Sequence, residues 1–405
     1  METASIDRDR KSETPTLDTL LARANQLGPV LAANRAAAET RGALTDAALE
    51  ALRVAGMLKL WRPRSLGGLE IEPNTYASVA EQIASHDPAA AFLMMAANNA
   101  AFDLRLADGE FVESIYRANP DALVCASFNR ALPAEPRADG FVVHGEVPFA
   151  SGCRHAQWIG HTAIVCAGGE PVKNPDGAPR MLLVYHPAAS LQIVDDWDSL
   201  GLRGTSSNTV RVEQLFVPRA RVVELSADWQ IGRHHRGPLY RCPIALLSAS
   251  LAPVALGALR AALGCARELA GQRVAFAERA TLAHRPRAQA HYGRALATHR
   301  AARAHLHEQL ERSWQRALAG ERFTLTDKAD LILATTHTVQ QCTDAVRELA
   351  TLAGTAAIHK SCPIEQALRD TEVLRHHALV SEGRYASVAQ IEFELPVDFP
   401  LMAMD

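Results

Sequence analysis

No two of the seven cysteines in this 405-residue sequence form a CxxC pair. Cys125, Cys153, Cys166, Cys242, Cys265, Cys342 and Cys362 are scattered, which argues against a disulfide framework or a thiolate metal cluster and leads us to expect reduced thiols in a cytoplasmic protein. Neither sign of charge dominates. The formal net charge of -3 leaves no basic excess of the kind that nucleic acid or an anionic membrane would favour, so a small or neutral ligand is expected. The opening METASIDRDRKSETPT lacks the apolar core of a signal peptide, and a frayed tail is expected over residues 1–16. There is no GxGxxG, no GxxxxGK[ST] and no repeat period, which removes the nucleotide folds and solenoids those patterns mark. One long apolar run exists, PIALLSASLAPVALGALRAALG from Pro243. It is rich in Ala and Ser and contains Pro253 and Arg260, so it reads as a buried bundle helix and not as a membrane span.

What is present is ordinary globular sequence, 48% hydrophobic, enough for two or three domains. Residues 17–119 carry a helical pattern. Thr45 and Asp46 start TDAALEALRVAGML, with Gly56 placed to end it, while Asp87 can cap and Pro88 suits the first turn of the apolar PAAAFLMMAANNAAFDL. Residues 120–228 change to short β-rich runs between turn signals, among them ALVCASF, GFVVHGEVPFASG, MLLVYH and TVRVEQLFVP, which predicts an antiparallel β-domain. Residues 229–405 return to long helices. One is expected through ALGALRAALGCARELAGQRVAFAERA, a second after the Pro286 break, a third from Thr326 to about Ala353 and a fourth from Ile364 to Tyr385. The fold class is α+β.

Five phrases in this order resemble the acyl-CoA dehydrogenase superfamily, and more closely its branch of two-component flavin hydroxylases. They are RPRSLGGLE (62–70), ASHDPAAAF (84–92), GFVVHGEVPFASGCRHAQW (140–158), WDSLGLRGTSSNTVRVEQLFVP (197–218) and IEQALRD (364–370). The resemblance implies a helical N-terminal domain, a central β-domain and a C-terminal four-helix bundle, with flavin held between β-domain and bundle in a homotetramer.

It also implies site residues. Within FASG the family carries a Ser or Thr beside the reactive edge of the flavin; by position this is Ser151, whose hydroxyl both donates and accepts. Asn129, in CASFN, falls in the loop after a strand where the branch contacts flavin or substrate, and Trp197 flanks the ring. Arg273 opens RVAF, similar to the family's Arg-x-x-Phe in a long bundle helix, where a guanidinium meets the flavin phosphate. From the residues alone each has a plainer role: a turn for Ser151 and Asn129, core for Trp197, a solvated face for Arg273.

The stretch RDTEVLRHHALVSEGRY separates two chemistries. One large dehydrogenase subgroup places its Glu base eight residues after the Asp of Arg-Asp, which is Ala378 here, while Glu382 lies four later. The hydroxylase branch places a His seven residues after that Asp, and this is His377. An imidazole titrating near neutrality suits work on a substrate hydroxyl, whereas removing a carbon-bound proton favours a desolvated carboxylate. As neighbours on a helix, His376 and His377 point about 100° apart and cannot share one role. Some hydroxylases carry a second His in the helix begun by Asp87 and Pro88. This chain has Met94, Met95, Asn98 and Asn99 there, so Asn98, Asn99 and Phe102 become the candidate substrate-pocket residues and phenol hydroxylation is not specified.

The resemblance therefore implies a monooxygenase that takes reduced FMN or FAD from a separate NAD(P)H-dependent flavin reductase. Oxygen adds at the flavin C4a carbon, Ser151 protects the hydroperoxide, and His377 orients or deprotonates a small aromatic or heteroatom-containing substrate. Two other readings stay open: an acyl-CoA dehydrogenase with bound FAD and a displaced Glu, and a catalytically silent scaffold.

Overall fold

The computed structural model describes residues 14–175, 177–225, 230–274 and 279–403. Residues 1–13 of the expected tail, and the expected boundary at 228, lie outside the described residues.

Six helices precede the strands: α1 (Leu17–Gln26), α2 (Gly28–Arg41), α3 (Asp46–Val54), α4 (Pro73–Ala84), α5 (Pro88–Asp103) and α6 (Gly109–Ala118). Their starts follow caps written in the sequence. The Thr45 hydroxyl accepts from the Ala48 N–H at the head of α3, and the Asp87 carboxylate accepts from the Ala89 and Ala90 N–H groups at the head of α5. α5 is apolar nearly all round and is packed between strand and helix layers, against the first strand on one side and the C-terminal helices on the other.

The strands are β1 (Val124–Arg137), β2 (Gly140–Val147), β3 (Trp158–Ala167), β4 (Glu170–Pro171), β5 (Met181–Pro187), β6 (Gln192–Ile193), β7 (Val210–Pro218) and β8 (Val222–Leu225). They form one sheet in the order β6-β7-β2-β1-β3-β5-β8, with β4 on β3. The expected antiparallel pairing holds with one exception: β1 and β3 run parallel, Val124 beside Trp158. The reason is topological. β2 returns along one edge of β1, and residues 148–157 then cross the start of β1 so that β3 begins on its other edge. That crossover carries Ser151. Alternate side chains bury Ala134, Val143, Ile159, Ala163 and Val184 on one face, while Phe111, Ile115 and Tyr116 of α6 cover Leu183 and Tyr185 on the other.

Helices resume as α7 (Leu246–Ala249), α8 (Ala252–Gln272), α9 (Pro286–Ala319), α10 (Leu325–Ala353), α11 (Pro363–Leu374), α12 (Gly383–Glu392) and α13 (Pro400–Ala403). α8 to α11 pack on one another, and α4 packs on α8. The stretch Leu246–Gln272 is long and apolar enough to cross a membrane by length and composition, yet 89% of its most apolar window is buried in the fold. α8 approaches α4 closely at Gly257, where a Cβ would lie 2.4 Å from the Glu81 carbonyl oxygen and 2.5 Å from the Ala84 Cβ.

Two expected helices stop early, each because tertiary hydrogen bonds compete with continuation. α8 ends at Gln272, and Arg273 is extended. Its guanidinium donates to the Ala353 carbonyl at 2.9 Å and the Thr355 hydroxyl at 3.0 Å, and Val274 bridges to Thr281. α11 ends at Leu374, short of the expected Tyr385. The Gln340 amide donates to the Arg375 and Val380 carbonyls at 3.1 and 3.0 Å, holding residues 375–382 in turns before α12 begins.

The loop between β6 and β7 is clamped from three sides. The Leu202 N–H donates to Asp370 Oδ1 of α11 at 2.6 Å, Arg203 Nε donates to the Glu39 carbonyl of α2 at 3.0 Å, and Gly204 lies against Ala89 of α5. Gly201 comes so near α11 that a Cβ would lie 2.3 Å from the Arg369 carbonyl oxygen. Asp370 is buried, its second carboxylate oxygen has no partner, and it borders a water-sized cavity of about 10 Å³ with Arg35, Glu39, Asp87 and Arg203. Burial pushes Asp370 up to about 7 against the opposing Leu202 N–H, and nearby Asp87 adds to the rise.

Two outcomes are expected. Since the folded state keeps the Asp370 proton where the unfolded chain releases it, this group's stabilisation is complete below about pH 4 and is lost as pH rises through about 7. Asp370→Asn keeps an acceptor for Leu202 and should flatten that part of the Tm-against-pH curve; a curve of unchanged slope would show that Asp370 does not titrate there. Gly201→Ala forces loop and α11 apart and should cost about 1–3 kcal/mol in denaturant unfolding; wild-type stability would show that the loop yields freely.

Candidate active site

The crossover after β2 is built from strained and saturated backbone. Phe149 adopts φ +58°, a left-handed conformation rare for an aromatic residue, and its ring is 54% exposed. Gly152 follows at φ +83°, where a Cβ would lie 2.7 Å from Leu93 of α5. The Ala150 N–H donates to the Asn208 carbonyl at 3.0 Å and the Gly152 N–H to the Thr205 carbonyl at 2.8 Å, so the clamped β6–β7 loop holds the crossover.

Side chains extend that contact. The Ser151 hydroxyl is 2.7 Å from the Ser207 hydroxyl, which is 2.7 Å from the hydroxyl of Thr205. Ser207 and Thr205 are buried, and the Thr205 hydroxyl meets no other partner among the described residues. Burial favours one direction for the chain, because the Thr205 proton has only Ser207 to meet. Three hydroxyls carry three protons and share two gaps; with Thr205 donating to Ser207 and Ser207 to Ser151, the Ser151 proton is left to point outwards.

Aromatic surface stands on the same crossover. The rings of Phe149 and Trp197 meet edge to face at 6.2 Å, and the Trp197 indole N–H donates to the Leu202 carbonyl at 3.2 Å. Asn129 is exposed, not in a loop after β1 but within β1, where the register against β3 slips between Ser127 and Leu132. Beside it Phe128 is 47% exposed, and the Ser127 hydroxyl donates to the Pro148 carbonyl at 2.8 Å, joining this bulge to the crossover. Exposed aromatics next to an outward donor fit a planar, partly apolar ring such as a flavin.

His376 and His377 lie in turns, so the helical argument for their divergence does not apply, yet they do part. His376 is 78% exposed and, with Glu382, borders an open cleft of about 420 Å³ that also includes Arg347, Glu372 and Arg375. His377 turns inward, edge-on to Phe92 of α5 at 6.0 Å. Its Nδ1 accepts from the Leu379 N–H at 3.2 Å, so a neutral ring carries its proton on Nε2, which has no partner among the described residues. Burial pushes this imidazole down to about 4, which overturns the expectation that it titrates near neutrality. Phe92 and Leu93 are consecutive on α5, so the His377 ring and the Ser151–Gly152 turn are anchored to the same turn of one helix.

The expected pocket residues on α5 separate. Asn98 is wholly buried and its amide is consumed: Oδ1 accepts from the Trp61 N–H at 2.9 Å, and Nδ2 donates to the Met57 and Met94 carbonyls at 3.0 and 2.8 Å. Phe102 is core, between Trp61 and Tyr240 and beneath the Arg105 guanidinium at 3.8 Å. Neither has an atom free for a ligand. Asn99 differs, since Nδ2 donates to Met95 Sδ and the Leu247 carbonyl while its buried Oδ1 has no partner. Arg273 is removed from this group by the end of α8; residues 275–278, which hold the Phe of its phrase, lie outside the described residues. Phe128, Phe149, Thr205 and Ser207 belong with the candidates although the sequence did not single them out. GTSSN announced hydroxyls, but nothing local to it announced that two would meet Ser151.

The family model for the acyl-CoA dehydrogenase C-terminal domain matches residues 249–382. An indole-3-acetate monooxygenase of Acinetobacter baumannii is 27% identical over 350 residues, 86% of this chain and 87% of that protein. The flavin-dependent monooxygenase oxygenase subunit HsaA of Rhodococcus jostii is 27% identical over 393 residues, 93% and 98% of the two chains. Among solved structures, XiaF from Streptomyces sp., in complex with FADH2 and glycerol, superposes with a TM-score of 0.86 at 24% identity, covering 95% of this chain and 97% of that one, which speaks to fold. In sequence over most of its length this chain is similar to flavin-dependent monooxygenases, its residues 249–382 match the acyl-CoA dehydrogenase C-terminal domain, and its fold is that of XiaF.

Proposed function

We propose that the protein is the oxygenase component of a two-component monooxygenase, using reduced FMN or FAD from a separate NAD(P)H-dependent flavin reductase, and O2, to oxygenate a small aromatic substrate. The observation that carries this reading is the Ser151 hydroxyl, joined to two buried hydroxyls, on a crossover that also carries Phe149, whose ring meets that of Trp197. Reduced flavin, when bound, activates O2 for transfer of one oxygen atom. The chain's own residues would hold its ring against Ser151, with Asn129 and Trp197 beside it.

Ser151 would donate to the ring edge because Ser207, itself held by Thr205, donates to its oxygen. His377 acts as a fixed donor through Nε2–H and not as a base. To accept a proton at Nε2 it would have to move its hydrogen to Nδ1 and give up the Leu379 N–H. The preferred substrate thus presents an acceptor oxygen to His377, and the partnerless Asn99 Oδ1 is available to a donor. Arg273 already spends two nitrogens on Ala353 and Thr355, leaving Nε for an anionic flavin tail. The dehydrogenase alternative is disfavoured because Glu382 shares the open cleft with His376. A homotetramer in the cytoplasm is part of the proposal: Ile358 and Phe393, 74% and 71% exposed on the helical region, are apolar surface for further copies, and the cysteines are free thiols.

His377→Ala should leave Tm and flavin binding intact while lowering product formed per reduced flavin oxidised by roughly 10-fold to 100-fold, the worth of a buried donor to a polar substrate. Unchanged coupling with any accepted substrate would take His377 out of the mechanism. Ser207→Ala should remove the donor that fixes the Ser151 hydroxyl, leave that hydroxyl free to rotate and raise hydrogen peroxide release about 2-fold to 10-fold at equal flavin affinity. The same release as wild type would mean that Ser151 is oriented by other groups.

A further inference from the structure

Six of the seven free thiols are buried, and in one place two sulfurs touch. Cys265 Sγ, on the last two turns of α8, is 3.9 Å from Cys362 Sγ, 97 residues later in the chain. Cys265 is half-buried and open to small solutes; Cys362 is 8% exposed. Cys362 occupies the N-cap of α11, where Ser, Thr, Asp or Asn would accept a first-turn N–H, yet it makes no side-chain cap bond. Its sulfur instead faces the other sulfur, while the Ile364 N–H of the same first turn serves Cys265. Cys125 and Cys153 also lie near enough to interact, but both are buried, whereas Cys265 is open to solutes.

We propose that Cys265 and Cys362 form a peroxide-oxidisable pair that closes to a disulfide between α8 and α11. The Cys265 thiol releases its proton to solvent, the thiolate attacks one oxygen of hydrogen peroxide and the O–O bond breaks, and the departing hydroxide takes up a proton from solvent, leaving a sulfenic acid and one water. The Cys362 thiol then attacks that sulfur, the S–S bond forms, and the hydroxyl leaves with a proton as a second water. Two thiols and one peroxide thus give one disulfide and two waters. Closing the gap from 3.9 Å to about 2 Å asks for side-chain rotation between packed helices. The oxidant is the by-product that a flavin monooxygenase releases when coupling fails, and only this source of peroxide rests on the proposed function. Burial, with the adjoining Cys362 thiol, pushes Cys265 up to about 11, so its thiolate is scarce at neutral pH and oxidation is slow there.

The experiment uses the full-length protein and added hydrogen peroxide, so it does not depend on turnover. After exposure, the protein is alkylated in denaturant, thiols are counted and peptides mapped. Two of the seven thiols should disappear, in one cross-linked pair containing Cys265 and Cys362, restored by dithiothreitol, with an initial rate rising roughly 10-fold per pH unit below the Cys265 pKa. Cys265→Ser and Cys362→Ser should each abolish the loss; the wild-type map stands even where a variant folds poorly. Retention of all seven thiols, a cross-link elsewhere, or separate sulfinic acids at the two positions would overturn the proposal.

Discussion

One buried hydrogen bond, from the Leu202 N–H to the Asp370 carboxylate at 2.6 Å, sets the distance between the β-domain and the C-terminal helices. Leu202 itself sits at φ +50°, a conformation that a non-glycine residue keeps only where its surroundings enforce it. Three residues later Thr205 begins the hydroxyl chain to Ser151, and four residues after Leu374 ends α11 the chain has reached Ala378, just past His377. A shift of Leu202 relative to Asp370 would therefore disturb both candidate groups at once. The unpartnered second oxygen of Asp370 is the cost of this arrangement, and burial raises its proton affinity in consequence.

The second constraint is α5. Its first turns present Ala89 to Gly204, Phe92 to His377 and Leu93 to Gly152, so loop, turn and crossover rest on one rigid element. Small residues at its start are what permit this. Gly204 already approaches Ala89 at 3.2 Å from an imagined Cβ, and Gly152 has no room for one at all. A helix with a polar face could not be covered on so many sides, which is why α5 has no amphipathic pattern.

Much of this was legible in local sequence and some of it was not. Thr45, Asp87 and Pro88 act through bonds spanning two or three residues, so their roles could be read directly. The alternating runs gave β1, β2, β5 and β7, but the parallel β1–β3 pair follows from a chain path that strand patterns do not encode. The ends of α8 and α11 escaped notice because the groups that stop them, Ala353, Thr355 and Gln340, lie far along the chain. Asn98 looked available for a ligand because an amide's type carries no record of whether distant backbone has already used it. His377 was found by its offset from Asp370, while its proton affinity depends on burial against Phe92, which the offset could not convey.

The two candidate donors share an electrical property. The hydroxyl chain is neutral, and the His377 ring, depressed to about 4, is neutral throughout the physiological range. Neither would draw a ligand by net charge, so on the proposed function both would act through dipoles fixed before the ligand arrives: Ser151 by the buried end of its chain at Thr205, His377 by the Leu379 N–H on its other nitrogen. Donors held in this way need no reorganisation when an acceptor reaches them, and in a water-poor site each is worth more than it would be in solvent. On the proposed function, discrimination would rest on where a substrate carries its acceptor atom relative to the flavin edge, and less on its charge.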